Sequence, residues 1–243
     1  MDYNKQIHKT KGDQIMGLDM YLERMPRCGN TTASEVSIIE SYFNWKEKKE
    51  DPNSSAKKYT LKEWCGVDYK KLPSKQVIDF YKQHYHLGYE YWDDTKEYSG
   101  RNRLKEQIGY WRKANHIHNW LVDRVQDGID DCCYHNEVTK EVLEELLSTC
   151  QKVLDNSQLV DGKIQNGKTY QYGQWVPIME EGQYIEDPSV AMRLLPTTRG
   201  CFFGSTEYDQ WYYNDIKETI QICKEVLETT DFEKQMVFYI SSW

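Results

Sequence analysis

The chain contains no run of about 18 apolar residues, so it is not expected to span a membrane as a helix. Its first fifteen residues, MDYNKQIHKTKGDQI, lack the apolar centre of a secretory signal. A surplus of positive charge is also missing. Lys and Arg number 31 against 39 Asp and Glu, a formal net charge of -8, which argues against duplex DNA as a partner. Cysteine lacks pattern: the seven residues are odd in number and irregularly spaced, as expected in a reducing cytoplasm rather than in a disulfide scaffold. There is no internal repeat or low-complexity tract, and 243 residues are enough to bury a sizeable core. Aromatics are plentiful, with 19 Tyr and 8 Trp supplying apolar area together with polar tips, as suits a core, a pocket wall or an interface.

The pattern along the chain predicts a single α+β domain over residues 16–243, preceded by a peripheral extension at 1–15 with Met16 as an alternative start. In MGLDMYL, Leu18, Met20 and Leu22 alternate with polar or amphipathic neighbours, the period of a half-buried strand. The charged stretch KEKKEDPNSSAKK reads as a surface loop, and SKQVIDFYKQHYH as a helix followed by a return segment, LGYEYWDDTKEYSGRN. GYWRKANHIHNWLVDRVQDG, residues 109–128, predicts one central helix with Trp111, Ala114, His118, Leu121 and Val125 facing the core. NEVTKEVLEELLSTCQKVL predicts an amphipathic helix. Asp161-Gly162 and Asn166-Gly167 mark turns of an irregular hairpin within 155–188, and PSVAMRLL a short helix. RGCFFGSTEYDQWYYNDIKETIQICKEVLETTD reads as strand, turn and helix, with Thr206 as N-cap, and KQMVFYISSW as a final strand. The expected fold is thus a mainly antiparallel sheet of N-terminal, 199–204 and C-terminal strands, packed with long amphipathic helices.

The candidate ligand-facing strip is the polar border of that central helix, Arg112, Asn115, Asn119 and Gln126. Arg112 suits a carboxylate or phosphate, and the amides suit a base edge or sugar. The opposing reading is a polar network tying the helix to its neighbours. His118 is either a satisfied core residue or part of a pocket. Trp120 points away from the apolar stripe, which means either an exposed ring or a helix covered on two sides. In FGSTEYD, two acids in the first helical turn disfavour a phosphate cradle, but Ser205, Tyr208, Trp211 and Tyr212 could touch a ligand, the three rings by stacking.

Five of the six histidines fall in HYH, HIH and CCYH. His116 and His118 diverge by about 200° on a helix, and Cys132 and Cys133 are adjacent rather than spaced as zinc ligands, so no metal is expected. No third group is evident for a cysteine nucleophile, and no cofactor motif is present. Asp130-Asp131 reads as a solvated turn.

Three stretches, MGLDMYL, GYWRKANHIHNWLVDRVQDG with the DDC after it, and LLPTTRGCFFGSTEYDQWYYNDI, together resemble a protein family of tailed bacteriophages and prophages without an assigned reaction. The resemblance covers most of the chain from Met16, with 25–75 and 155–188 as variable insertions. It implies phage origin and an accessory role in the cytoplasm of an infected bacterium, and it carries over no catalytic residue; a counter-defence role is the expectation drawn from the polar strip and from Tyr208, Trp211 and Tyr212. The expected ligand is a small anionic, nucleotide-like molecule such as a host defence signal. The alternatives are a hydrolase or transferase on such a substrate, with His118 or His116 as general base and Arg112 stabilising charge, and an interaction protein that inhibits a host enzyme or forms a homo-oligomer.

Overall fold

Alternation in the first strand sets the frame for the whole molecule. A computed structural model describes residues 17–85, 104–132 and 134–243. The expected N-terminal extension and the segment LGYEYWDDTKEYSGRN lie outside the described residues. In chain order the elements are β1 (Asp19–Pro26), α1 (Ala33–Glu50), α2 (Leu61–Cys65), α3 (Lys75–His84), β2 (Glu106–Arg112), α4 (Asn115–Val125), β3 (Asn136–Glu137), α5 (Lys140–Asp155), β4 (Leu159–Gln171), β5 (Gln174–Ile185), α6 (Ser189–Leu194), α7 (Gln210–Thr229) and β6 (Gln235–Ser242). The class is α+β, with antiparallel strand pairs.

The larger sheet runs β2-β1-β6-β3. Leu18, Met20 and Leu22 all point into one core, together with Trp111 of β2, Val237 and Tyr239 of β6, and the apolar faces of α4, α5 and α7. On the opposite face Met25, Met236 and Phe238 meet Val36, Ile39 and Phe43 of α1 and Tyr81 of α3. Because β6 contributes to both cores, four consecutive residues from Met236 to Tyr239 are buried, which accounts for its unbroken apolar run. Burying those side chains against two helical layers is the main stabilising contribution here, roughly 1.5 to 3 kcal/mol for each large one.

Several expectations need correction. Residues 109–128 are not one helix. Tyr110, Trp111 and Arg112 pair with Tyr21, Met20 and Asp19 of β1, and the chain then turns at Lys113, whose φ is 61°. The helical spacing of Trp111 with Ala114 and His118 misled because a strand pointing into the same core places Trp111 there too. Gly109 permits this packing: a Cβ would lie 2.8 Å from Ile222 of α7. The 199–204 segment is not a strand either. Positive φ at Phe202 (64°) and Gly204 (95°) curls it into a loop, and β2 takes the place beside β1.

The charged stretch after Trp45 is helical as far as Glu50, so the expected surface loop begins later. In the β4–β5 hairpin, Asp161 and Gly162 lie within the ladder, opposite Gln183 and Gly182, and Asn166-Gly167 sits where the register slips. The reversal occurs at Tyr172-Gly173, both at positive φ as a two-residue hairpin turn demands. Asp209, not Thr206, caps α7: its Oδ1 accepts from the backbone N–H groups of Trp211 (2.8 Å) and Tyr212 (3.2 Å). Trp120 is buried, with the Arg124 guanidinium over its ring. No helix among the described residues is long and apolar enough to cross a membrane.

Candidate functional site

The turn at Lys113, the 197–205 loop, the start of α7 and the bulged part of the hairpin converge on one cavity of about 980 Å³. The convergence has a local cause. Asn115, 1% exposed, donates from Nδ2 to the carbonyls of Phe203 (3.1 Å) and Ser205 (2.8 Å), and its Oδ1 accepts from the N–H of Thr198 (2.9 Å). One amide therefore fixes both limbs of the loop against the start of α4. Gly204 allows the close approach, since its φ is 95° and a Cβ there would meet the backbone oxygen of Lys113 at 3.2 Å. On the far side, β5 is tied to the α7 entry by Ile185 N–H donating to the Tyr208 carbonyl (2.9 Å) and Gln183 N–H to Gln210 Oε1 (3.1 Å). The hairpin thereby holds Lys168 and Trp175 over the cavity.

Five of the sequence-predicted residues line this hollow: Arg112, Asn115, Ser205, Trp211 and Tyr212. Arg112 arrives on the sheet edge rather than on a helix border, and Asn115 spends its hydrogen bonds on the loop. Four residues lie elsewhere, among them Gln126, buried at the C-terminal end of α4. Asn119 faces a separate surface hollow beside Trp120 and Glu145. Tyr208 borders another hollow under the hairpin, its ring edge-on to Tyr212 and its hydroxyl accepting from Thr197 N–H at 3.2 Å. His118 is a core residue: Nδ1 lies 2.6 Å from the Tyr239 hydroxyl and Nε2 3.0 Å from Asp130 Oδ2. Asp130 is thus a partner of a buried imidazole and not a solvated turn residue. Burial lowers the His118 pKa, against the opposing pull of Asp130.

Three further polar residues line the hollow: His116, weighed from the sequence only as a general base, and Asp209 and Asp215, which sequence reasoning passed over as site members. His116 is 2% exposed, packs on Tyr212 with ring centroids 4.2 Å apart, and has no hydrogen-bond partner at Nε2. Burial pushes its pKa down to about 3, so the ring is neutral near pH 7 and a poor general base there. Asp209 is 1% exposed; with Oδ1 engaged in the cap, its Oδ2 is buried and unpartnered. Burial raises its pKa, opposed by the two cap hydrogen bonds. Asp215, one turn after Trp211 on the same face of α7, is pushed up to about 8 by burial, with Glu218 and Asp209 adding to the effect.

The lining therefore combines three cations, Arg112, Lys113 and Lys168, aromatic surfaces from Trp175, Phe202, Trp211 and Tyr212, and three acids, Glu207, Asp209 and Asp215. Such a hollow can pair with an anion, stack on a planar ring and accept hydrogen bonds within one ligand's length. Among the described residues no three His, Cys, Asp or Glu side chains converge as metal ligands. The hairpin's share was hard to foresee, though Asn166-Gly167 does mark the bulge beside Lys168. Compared with known proteins, the chain matches no family model, no curated protein and no solved structure.

Proposed function

We propose that this chain binds a small anionic, nucleotide-like ligand in the cavity between the Lys113 turn, the α7 entry and the hairpin. The supporting observation is that a cavity of about 980 Å³ is lined by Arg112, Lys113 and Lys168 together with the rings of Trp175 and Trp211. Its size lies near the upper end of small-molecule sites, about 300 to 1,000 Å³. The cations receive the phosphate, charge-assisted hydrogen bonds being the stronger kind, and the rings receive the base. Both histidines on α4 are poorly placed for acid–base work, so capture without turnover is the reading favoured here. In an infected bacterium, a phage-encoded accessory protein of this kind would sequester a host nucleotide signal.

Titration calorimetry with nucleoside monophosphates at low salt tests the proposal. Binding is expected, with Arg112→Ala weakening it by about 1.5 to 3 kcal/mol. Absence of binding by every nucleotide at millimolar concentration would overturn it.

A further inference from the structure

The cations and aromatic rings of the lining suit any nucleotide, but two buried polar atoms beside them do not. Asp209 and His116 both line the cavity and are 1% and 2% exposed, and Asp209 Oδ2 and His116 Nε2 have no hydrogen-bond partner in the protein. Leaving such atoms unpaired is costly, and a ligand with complementary groups removes the penalty. The Asp209 carboxylate has a fixed direction, because its other oxygen is held by the Trp211 and Tyr212 amides. Asp215 and Glu207 add further carboxyl groups to the lining.

Resting on the nucleotide-binding reading, we infer that Asp209 Oδ2, supported by Asp215, accepts a hydrogen bond from an exocyclic amino group on the ligand's ring, so that the site selects amino-bearing bases over their oxo counterparts. An oxo group facing Asp209 would set two acceptors against each other in a desolvated wall and leave Oδ2 unpaired. Asp215, held near pKa 8, carries a proton at neutral pH that it can offer to the ring nitrogen beside the amino group.

The test uses the full chain and two nucleotide pairs that differ at this one group, AMP with IMP and CMP with UMP. In calorimetry the amino member of each pair is expected to bind about tenfold to a hundredfold more tightly. Asp209→Asn keeps an N-cap oxygen, since Asn caps about as well as Asp, and converts the free position to an NH2 donor. That variant should lose the preference for AMP and gain affinity for IMP. If it fails to fold, Asp215→Ala on the partly exposed face of α7 carries the test, and its ratio of AMP to IMP affinity should fall. Equal binding within both pairs by the wild type, or an unchanged ratio in the variants, overturns this inference while leaving nucleotide binding intact. No binding by any of the four overturns both.

Discussion

Two buried histidines two residues apart on α4 meet opposite surroundings. His118 faces the sheet, where a tyrosine hydroxyl and a carboxylate occupy its two nitrogens. His116 faces the cavity, where Nε2 meets no partner. The helix bridges a packed region, in which both nitrogens of the His118 imidazole are paired, and an open region, in which Nε2 of His116 is not. Function is more readily lodged in the second. Strain or unpaired polarity held by a well-packed scaffold is a reserve that a ligand can release.

Breaking the packed side should have the largest effect. His118→Ala leaves Asp130 and the Tyr239 hydroxyl without their partner inside the core, and is expected to lower the unfolding free energy by about 2 to 4 kcal/mol in urea denaturation. A change under 1 kcal/mol would mean that water replaces the ring and that the contrast between the two sides is weaker than described. Next comes the staple between the sides. Asn115→Asp keeps the acceptor for Thr198 N–H but turns carboxylate oxygen toward the carbonyls of Phe203 and Ser205. A loss of about 2 kcal/mol is expected, together with faster amide hydrogen exchange in 197–205. Wild-type exchange there would show that the loop is held by other contacts.

Much of the scaffold was legible because period and burial agree. Leu18, Met20 and Leu22 alternate and are buried, and Tyr212, Ile216, Ile220 and Cys223 recur at helical spacing and are buried. Residues 109–128 were misread because Trp111 satisfies a helical stripe and a strand face equally well, and only pairing with β1 decides between them. The 199–204 run has strand composition, but Asn115 draws its carbonyls into a loop, a long-range interaction that no local pattern displays. Arg112, Ser205, Trp211 and Tyr212 were found for their chemistry. Asp209 and Asp215 were passed over because an acid near a helix start has an ordinary explanation, and only the fold reveals that one Asp209 oxygen is left over.

The cavity side can be sharpened through Asp215. Its folded pKa near 8 lies above its ordinary value of 3.8, so the folded state keeps a proton that the unfolded chain gives up. That contribution to stability is complete below 3.8 and is lost as pH rises toward 8. Asp215→Asn removes the loss, along with repulsion from Asp209 and Glu218. Allowing for the partial exposure of this side chain, the variant should gain about 1 kcal/mol on the wild type between pH 5 and 8 in urea denaturation. A constant difference across that range would place the Asp215 carboxyl in contact with bulk water.

The smallest effect at neutral pH should come from His116→Phe. The new ring keeps the stacking on Tyr212, the adjoining cavity gives it room, and the unpartnered Nε2 disappears, so stability should change by less than about 1 kcal/mol at pH 7. Acid separates the two proteins. An imidazole lowered from 6.5 to about 3 refuses a proton that the unfolded chain accepts, so its stabilising contribution is complete above 6.5 and is lost as pH falls toward 3. Phenylalanine suffers no such loss, and the variant should gain on the wild type by up to roughly 1.4 kcal/mol per pH unit below 6.5. Burial lowers the His118 pKa too, but in both proteins alike, and the difference between them isolates His116. Parallel pH profiles would show that water reaches Nε2 from the cavity, and the distinction between a paired and an unpaired histidine would then be one of hydration and not of unmet hydrogen bonding.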